Sequence, residues 1–562
     1  MKQIQRMPIV VLLLAVTLAG CSGGGTPPPP VIPPTATVAP PPLPADASVP
    51  ARILARGYLV VGMRYDLPPF GFITDEGTVA GLDVDLGHEL ARRWLGDPQA
   101  VRFRQVRSDS AADHLLAGDV DLVPTALLQT QPLEERVDFG PPLFEDGQAL
   151  LVRASDATTI VGPASLDGLP VGIVEWSDAA YALDATVPFT PTFAEYATFD
   201  QAVDGLLNGE VSAVADLRRR LVEGLRRSPD LVIVGQYSRA FLAPAYAPNQ
   251  PDLADLVALT VQDLYADGTL SELYARWLPG VAPLSIETWP GVATTNLSEA
   301  RAVFQAPDTL GAIRSRGRLR VAVVGDLSPF AYLNADGTAG GYEVQLVQLM
   351  AQRWLGDREA VDFLPVTRQD GLQVVASGGA DMLIGAIPHT REAERQVDFS
   401  LTTYVGGVGW LVRNGEAPSD LAALNGQSVA VVEGTNTPDV LHSLETAAGV
   451  SLVIVPYPTL EDALAALQAG EVVAIAGERT DMLGLAYATP GVFVTDDRLT
   501  RVPIAIALPP GDSAWRDRVN LTLQAMNWDG QFRALYSAWF DDEPPDFPPW
   551  PDEPLQTLRI GP

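Results

Sequence analysis

Three side chains on which enzyme chemistry commonly depends are almost absent from this chain. Lys2 is the only lysine, Cys21 is the only cysteine, and every other basic residue is arginine. P-loop, pyridoxal-phosphate and Schiff-base chemistry each need a lysine, so the composition excludes them. A cysteine nucleophile and an internal disulfide are excluded in the same way. Four scattered histidines (His88, His114, His389 and His442) show no metal-ligand spacing and read as surface or helix-packing residues. No constellation of Asp, Glu or His stands out for acid–base work, so neither an enzyme nor a cofactor is expected. What remains is recognition by charge and hydrogen bonds. The best-formed candidate is Gly434-Thr435-Asn436-Thr437-Pro438. There Thr437 suits a helix cap and Pro438 the first helical position, which makes a cradle for an anion. A net charge of −32 argues against nucleic acid and reads as a solvated acidic surface.

The scaffold that must position such residues is written twice. Arg93-Trp94-Leu95-Gly96-Asp97 returns 260 residues later as Arg353-Trp354-Leu355-Gly356-Asp357. The same offset links Arg56-Gly57 to Arg316-Gly317, Pro69-Phe70 to Pro329-Phe330 and Asp121 to Asp381. So long a period is a duplicated domain, because solenoid and propeller repeats run at roughly 20–50 residues. In each copy a Gly and an apolar strand are followed by a helix. Its apolar face is Leu82, Leu86, Leu90 and Trp94 in one copy, and Tyr342, Leu346, Met350 and Trp354 in the other. Asp83 and Asp85 favour that helix's N-terminus. Short apolar strands alternate with further helices, which predicts an α/β fold. The offset drifts only in the middle of each copy and ends at 262 for Asp267-Gly268 and Asp529-Gly530. That pattern predicts two lobes per copy, with a hinge and a ligand-sized cleft between them.

At the N-terminus, Lys2 and Arg6 precede an apolar run from Ile9 to Ala19, too short to span a bilayer. The expected layout is a signal peptide over 1–20 and a Pro-rich linker over 21–48. Unit one then covers 49–280, with lobe 1 at 49–153 and 241–280 and lobe 2 at 154–240. A linker over 281–305 leads to unit two at 306–542, with lobe 1 at 306–413 and 500–542 and lobe 2 at 414–499. A poorly ordered tail rich in Pro and Asp follows at 543–562.

Read in register, both copies resemble the bacterial extracellular solute-binding proteins of the polar-amino-acid class, which have the type II periplasmic binding protein fold. The resemblance rests on Gly-x-Leu-x-Val strand openings, then Leu67-Pro68-Pro69-Phe70 and Leu327-Ser328-Pro329-Phe330. Gly81-Leu82-Asp83 and Gly341-Tyr342-Glu343 follow, with Asp121 and Asp381 nine residues before Thr130 and Thr390. Leu18-Ala19-Gly20-Cys21 also looks like a lipoprotein cleavage motif, which implies lipidation of Cys21 and a membrane anchor on the extracytoplasmic face.

The resemblance implies a ligand held between lobes, its carboxylate on a first-lobe arginine and a second-lobe helix N-terminus, its ammonium on a second-lobe carboxylate. In unit one the implied set is Asp66, Phe70, Thr125, Thr130, Arg136, Ser177, Asp178 and Asp216. In unit two it is Asp326, Phe330, Thr390, Arg391, Arg395, Thr435, Asn436, Thr437 and Glu478. The sequence departs from the family at the clamp arginine, three residues after the Thr, where Leu133 and Ala393 stand. Arg136, Arg391 and Arg395 are near but rotated on the helix. Leu67 and Leu327 replace the covering aromatic, Asp178 would repel an anion, and Asp216 stands one position short of Glu478. Phe70 and Phe330 read equally well as core. The expected function is a receptor that hands a small polar solute to an ABC importer permease, with unit two the better preserved site. The alternative is a sensory or structural lipoprotein whose clefts recognise a ligand or partner without transport.

Overall fold

The computed structural model describes residues 47–547 and 560, except 176, 178, 185, 294, 295 and 302, and of Tyr181 the backbone. The expected signal peptide, Cys21, most of the linker after it and Asp178 lie outside the described residues.

Each unit opens with a helix, Val49–Arg56 or Thr309–Arg316, closed by a glycine with positive φ (Gly57, 73°; Gly317, 67°). The repeated Arg and Asp explain each other here. Asp121 accepts the Val60 N–H at 2.7 Å and pairs with Arg56. Asp381 does the same with the Arg320 N–H, at 2.7 Å, and Arg316. These buried carboxylates pin the opening helix to the edge of the first strand.

The helix expected from spacing by four is Leu82–Leu95 in unit one and Tyr342–Leu355 in unit two, and the named apolar face of each is buried. The indole N–H of Trp94 donates to Thr260 Oγ1 at 2.9 Å, and that of Trp354 to Thr522 Oγ1 at 2.8 Å. A buried indole needs such a partner. These bonds dock the helix on Pro251–Ala266 or Ser513–Trp528, helices from the far end of each unit. The first lobe is thus built from both ends of its sequence.

The second lobes share one topology. In unit one the strand order is Thr192–Tyr196, Pro170–Val174, Ala213–Leu217, Gln148–Arg153, Leu231–Val234. In unit two it is Val453–Tyr457, Ser428–Val432, Ala474–Glu478, Val408–Arg413, Val492–Arg498. Both sheets are mixed, with the first three strands parallel and the others antiparallel to their neighbours. The boundary at residues 153 and 413 needs correcting. Gln148–Arg153 and Val408–Arg413 are hydrogen-bonded into the second-lobe sheets, so the chain crosses at Gly147 and Gly407. The alignment offset marks where insertions are tolerated, in the loop after the strand, and the crossing lies before the strand. Both glycines have positive φ (136° and 113°). A Cβ would meet the Ser238 carbonyl oxygen at 2.1 Å in one case and that of Thr500 at 2.2 Å in the other. Only glycine fits two chains passing this closely at the hinge.

The joint packs on both units, and of the tail only 543–547 and 560 are among the described residues. Ile286 and Leu297 of the joint are buried in unit one's core. Trp289 stacks on His389, with ring centroids 4.0 Å apart, and His389 stacks on Phe399 at 4.2 Å. Glu287 accepts from Thr402 Oγ1 at 2.6 Å. Of the tail, Phe547 packs on Phe532 and Ile560 on unit two's core. Apolar residues spaced among prolines carry no periodic signal, so their burial is set by the surfaces they meet.

Candidate ligand site between the lobes

In unit two the helix Thr437–Ala448 follows strand Ser428–Val432, with Asn436 at the cap and proline in its first turn. Neither Asn436 nor Thr437 caps it by side chain, and Thr435 Oγ1 turns back to the Val432 carbonyl at 2.8 Å. Thr435 and Asn436 are exposed, and Thr437 is buried. The cap is therefore one residue earlier than the sequence implied, because Thr437 already has a helical backbone. The first-turn N–H groups carry no side-chain cap, as an anion cradle requires.

Glu478 ends strand Ala474–Glu478, and helix Arg479–Ala488 begins at once. Burial, and after it the charge of Asp481, raises the Glu478 pKa. Asp481 is raised by burial as well; Arg368 of the first lobe opposes that rise and Asp326 of the first lobe adds to it. Asp326, Arg368, Glu478 and Asp481 thus form one electrostatic group across the lobes. Arg368 is anchored on the Gly385 and Ala386 carbonyls at 3.2 and 3.3 Å. Arg368 and Asp481 were missed from the sequence. A carboxylate three residues after Glu478 on the same helix was the available signal for Asp481.

The lobes touch beside this group. Leu483, like Leu327, packs against the first-lobe core around Phe330 and Tyr404. A Cβ on Gly484 would sit 2.3 Å from the Ser328 carbonyl oxygen. Gly484→Val is expected to hold the lobes apart, since such overpacking costs about 1–3 kcal/mol. Ligand affinity of unit two should fall about 10-fold to 100-fold. Small-angle scattering should show a larger radius of gyration. Unchanged affinity and radius would mean that this contact does not set closure.

Unit one carries different groups at the same positions. Strand register places Leu217 opposite Gln148 as Glu478 lies opposite Val408. Leu217 therefore stands where Glu478 does. Asp216, on the other face, accepts its neighbour Leu217's N–H at 2.7 Å and pairs with Arg220 at 3.1 Å. Alternation along a strand turned it away. Arg220 occupies the position of Asp481, a charge reversal. Asp66 is exposed and paired with Arg64 at 2.9 Å, which holds its carboxyl below its ordinary value. Ser177 Oγ is buried without a hydrogen-bond partner among the described residues.

The remaining expected site residues are engaged elsewhere. Phe70 and Phe330 are fully buried, edge-on to Phe144 and Tyr404 at 5.1 and 4.9 Å. They form core walls in this conformation. Thr125 Oγ1 donates to Asp83 Oδ1 at 2.7 Å, and burial pushes the Asp83 carboxyl up to about 7. Unit two solves the same problem with a longer acid. Glu343 reaches the Gly385 and Ala386 N–H groups at 2.7 and 2.8 Å, so no hydroxyl is needed at Gly385. Thr130 and Thr390 cap short helices, and Thr390 Oγ1 accepts the Ala393 N–H at 3.1 Å.

None of the three implied arginines joins the cleft group. Arg136 pairs with Asp113 at 2.6 Å on the surface. Arg391 pairs with Asp263 of unit one at 2.8 Å, and Arg395 with Glu299 at 2.9 Å. Arg391 and Arg395 each stand two positions from Ala393, and that rotation turns them toward Asp263 and Glu299 instead of the cleft.

This architecture, two lobes joined by two crossings with charged groups facing across the gap, is that of a two-lobed binding protein. The sequence pattern of the bacterial extracellular solute-binding proteins, family 3, matches residues 59–280 and again 319–542. The chain belongs to that family, as two tandem members. It is 25% identical over 239 residues to the ABC transporter glutamine-binding protein GlnH of Bacillus subtilis, covering 42% of this chain and 86% of that protein. It is 29% identical over 241 residues to the L-cystine-binding protein TcyJ of Escherichia coli, covering 42% of this chain and 88% of that protein. Among solved structures, an ancestral cationic amino acid solute-binding protein is 26% identical, with a TM-score of 0.36. That match covers 42% of this chain and 100% of that one.

Proposed function

We propose that this protein is a lipid-anchored extracytoplasmic receptor that captures a small amino-bearing solute and presents it to an ABC importer, with unit two as its amino-acid site. The observation that carries the reading is the charge layout of unit two. Glu478 and Asp481 offer carboxylates to an ammonium, while the uncapped start of Thr437–Ala448 and Arg368 offer donors to a carboxylate. Relatives named for binding glutamine and cystine are consistent with such a ligand. Leu18-Ala19-Gly20-Cys21 supports the lipid anchor. Unit one, with Leu217 and Arg220 in place of the two acids, is suited to a ligand without an ammonium. The two clefts then differ in specificity on one tether.

Titration calorimetry of the full chain against the amino acids tests this. One site per chain is expected, and Glu478→Gln should weaken it by about 10-fold to 100-fold, the range for loss of a hydrogen bond to a charged group. Two equivalent sites, or a site unaffected by Glu478→Gln, would overturn the assignment to unit two. The engagement of Arg136, Arg391 and Arg395 in other ion pairs favours a second reading, recognition without transport. Uptake that persists in a strain lacking the protein would support it.

A further inference from the structure

The two hinges share an Arg and a Tyr but differ at the carboxylate between them: Asp542 in unit two corresponds to Gly280 in unit one, Arg498 to Gln236 and Tyr404 to Phe144. In unit two, Asp542 follows the last helix of the first lobe and its side chain is nearly enclosed. Its carboxylate accepts from the Tyr536 hydroxyl at 2.9 Å, meets Arg479 Nη2 at 3.4 Å and pairs with Arg498. Arg479 and Arg498 belong to the second lobe, so Asp542 latches lobe to lobe. Tyr404 completes the surround and senses both Arg479 and Asp542.

The counterparts of Tyr404, Arg479 and Tyr536 in unit one are Phe144, Arg218 and Tyr274, at offsets of 260, 261 and 262. The counterpart of Asp542 is Gly280, which has no side chain to offer. These three residues, with Glu145 and residues 281–285, line a cavity of about 200 Å³. That is far more than the roughly 15 Å³ that admits one water. Arg218 spends one nitrogen on the Glu145 carbonyl at 3.1 Å and lies over the Phe144 ring at 5.4 Å. The Glu145 carboxylate is itself held by Arg239 at 2.6 Å and Gln236 at 3.2 Å. Tyr274 donates to the Leu143 carbonyl. Arg218 is therefore the cationic group of this cavity with donors to spare, and it stands where its counterpart meets a carboxylate.

We propose that the hinge cavity of unit one is a site for a small carboxylate anion, bound on Arg218 much as the Asp542 carboxylate is held on Arg479 in unit two. A planar carboxylate matches the fork of a guanidinium. Such an anion would bridge Arg218 of the second lobe to the 281–285 segment beside the first. Unit two carries its latch in its own sequence; unit one takes its latch from solution. Closure of unit one then depends on the concentration of that anion.

The test is thermal unfolding of the full chain with sodium acetate exchanged for sodium chloride at constant ionic strength. A saturable rise of about 2–4 °C in the unfolding temperature is expected. Arg218→Gln should abolish it. Ser285→Phe, which fills the cavity from its exposed edge, should abolish it without touching the arginine. Asp542→Ala should enlarge the acetate-dependent rise, since unit two then gains a vacated latch as well. No acetate effect in the native protein would overturn the proposal, as would an effect that survives both Arg218→Gln and Ser285→Phe.

Discussion

Arg516→Leu is expected to split thermal unfolding into two transitions and to destabilise the protein by about 3–5 kcal/mol. Arg516 lies where the two units meet. Its guanidinium faces Asp138 of unit one at 2.9 Å, and Asp517 and Asp398 of unit two at 3.6 and 3.8 Å. All three acids are buried. Asp138 also accepts from Ser513 Oγ at 2.6 Å, while Ser513 and Asn249 exchange bonds of 2.8 and 3.2 Å. Removing the arginine leaves carboxylates from two domains facing one another without a counter-charge. Breaking a buried pair costs far more than the pair contributes, because the desolvated partner remains. The loss falls on the interface, so the units should melt separately. Scanning calorimetry reads both effects. A single transition at the native temperature would show that the interface stands without this residue.

The second large effect is a fall in stability as pH rises from about 4 to 8. Burial pushes the Asp83 and Asp398 carboxyls each up to about 7. It also raises Glu134, Asp255 and Asp517, all but Asp83 lying near the contact between units. An unfolded Asp or Glu titrates near 4. In the interval between, the folded protein holds more protons than the unfolded chain. The stabilising contribution of these groups is thus fully present below the unfolded value and is lost as pH rises through 7 to 8. For Asp83 alone, about three pKa units correspond to on the order of 4 kcal/mol. Urea unfolding at pH 5, 7 and 9 should give a descending series, and Asp83→Asn should flatten it. Stability that rises between pH 5 and 8 would refute this account. The same chemistry makes Arg516→Leu milder at pH 5, because burial raises the Asp398 and Asp517 carboxyls and favours their neutral forms there.

Some of this was legible residue by residue and some was not. The repeated Arg56/Asp121 and Trp94 positions read as scaffold because their partners recur at a fixed offset. The Leu82 to Trp94 face is local, so its helix and burial follow from periodicity. Arg391 and Arg395 could not be placed that way. Their partners, Asp263 and Glu299, lie about 100 residues or more away, and only docking of the units brings them close. Arg368 escaped notice for the same reason: it matters through Asp481, across a cleft that no local pattern describes.

The duplicated framework was therefore decided in the amino-acid order, because hydrophobic period and helix termini act over a few residues. The character of each cleft was decided by the tertiary structure. A single strand position turned Asp216 to the opposite face and put Leu217 where Glu478 stands in the other copy. The hinge cavity is of the same kind: Gly280 and Asp542 differ by one side chain, and only the surrounding Arg and Tyr residues, brought in from distant segments, show what that difference does.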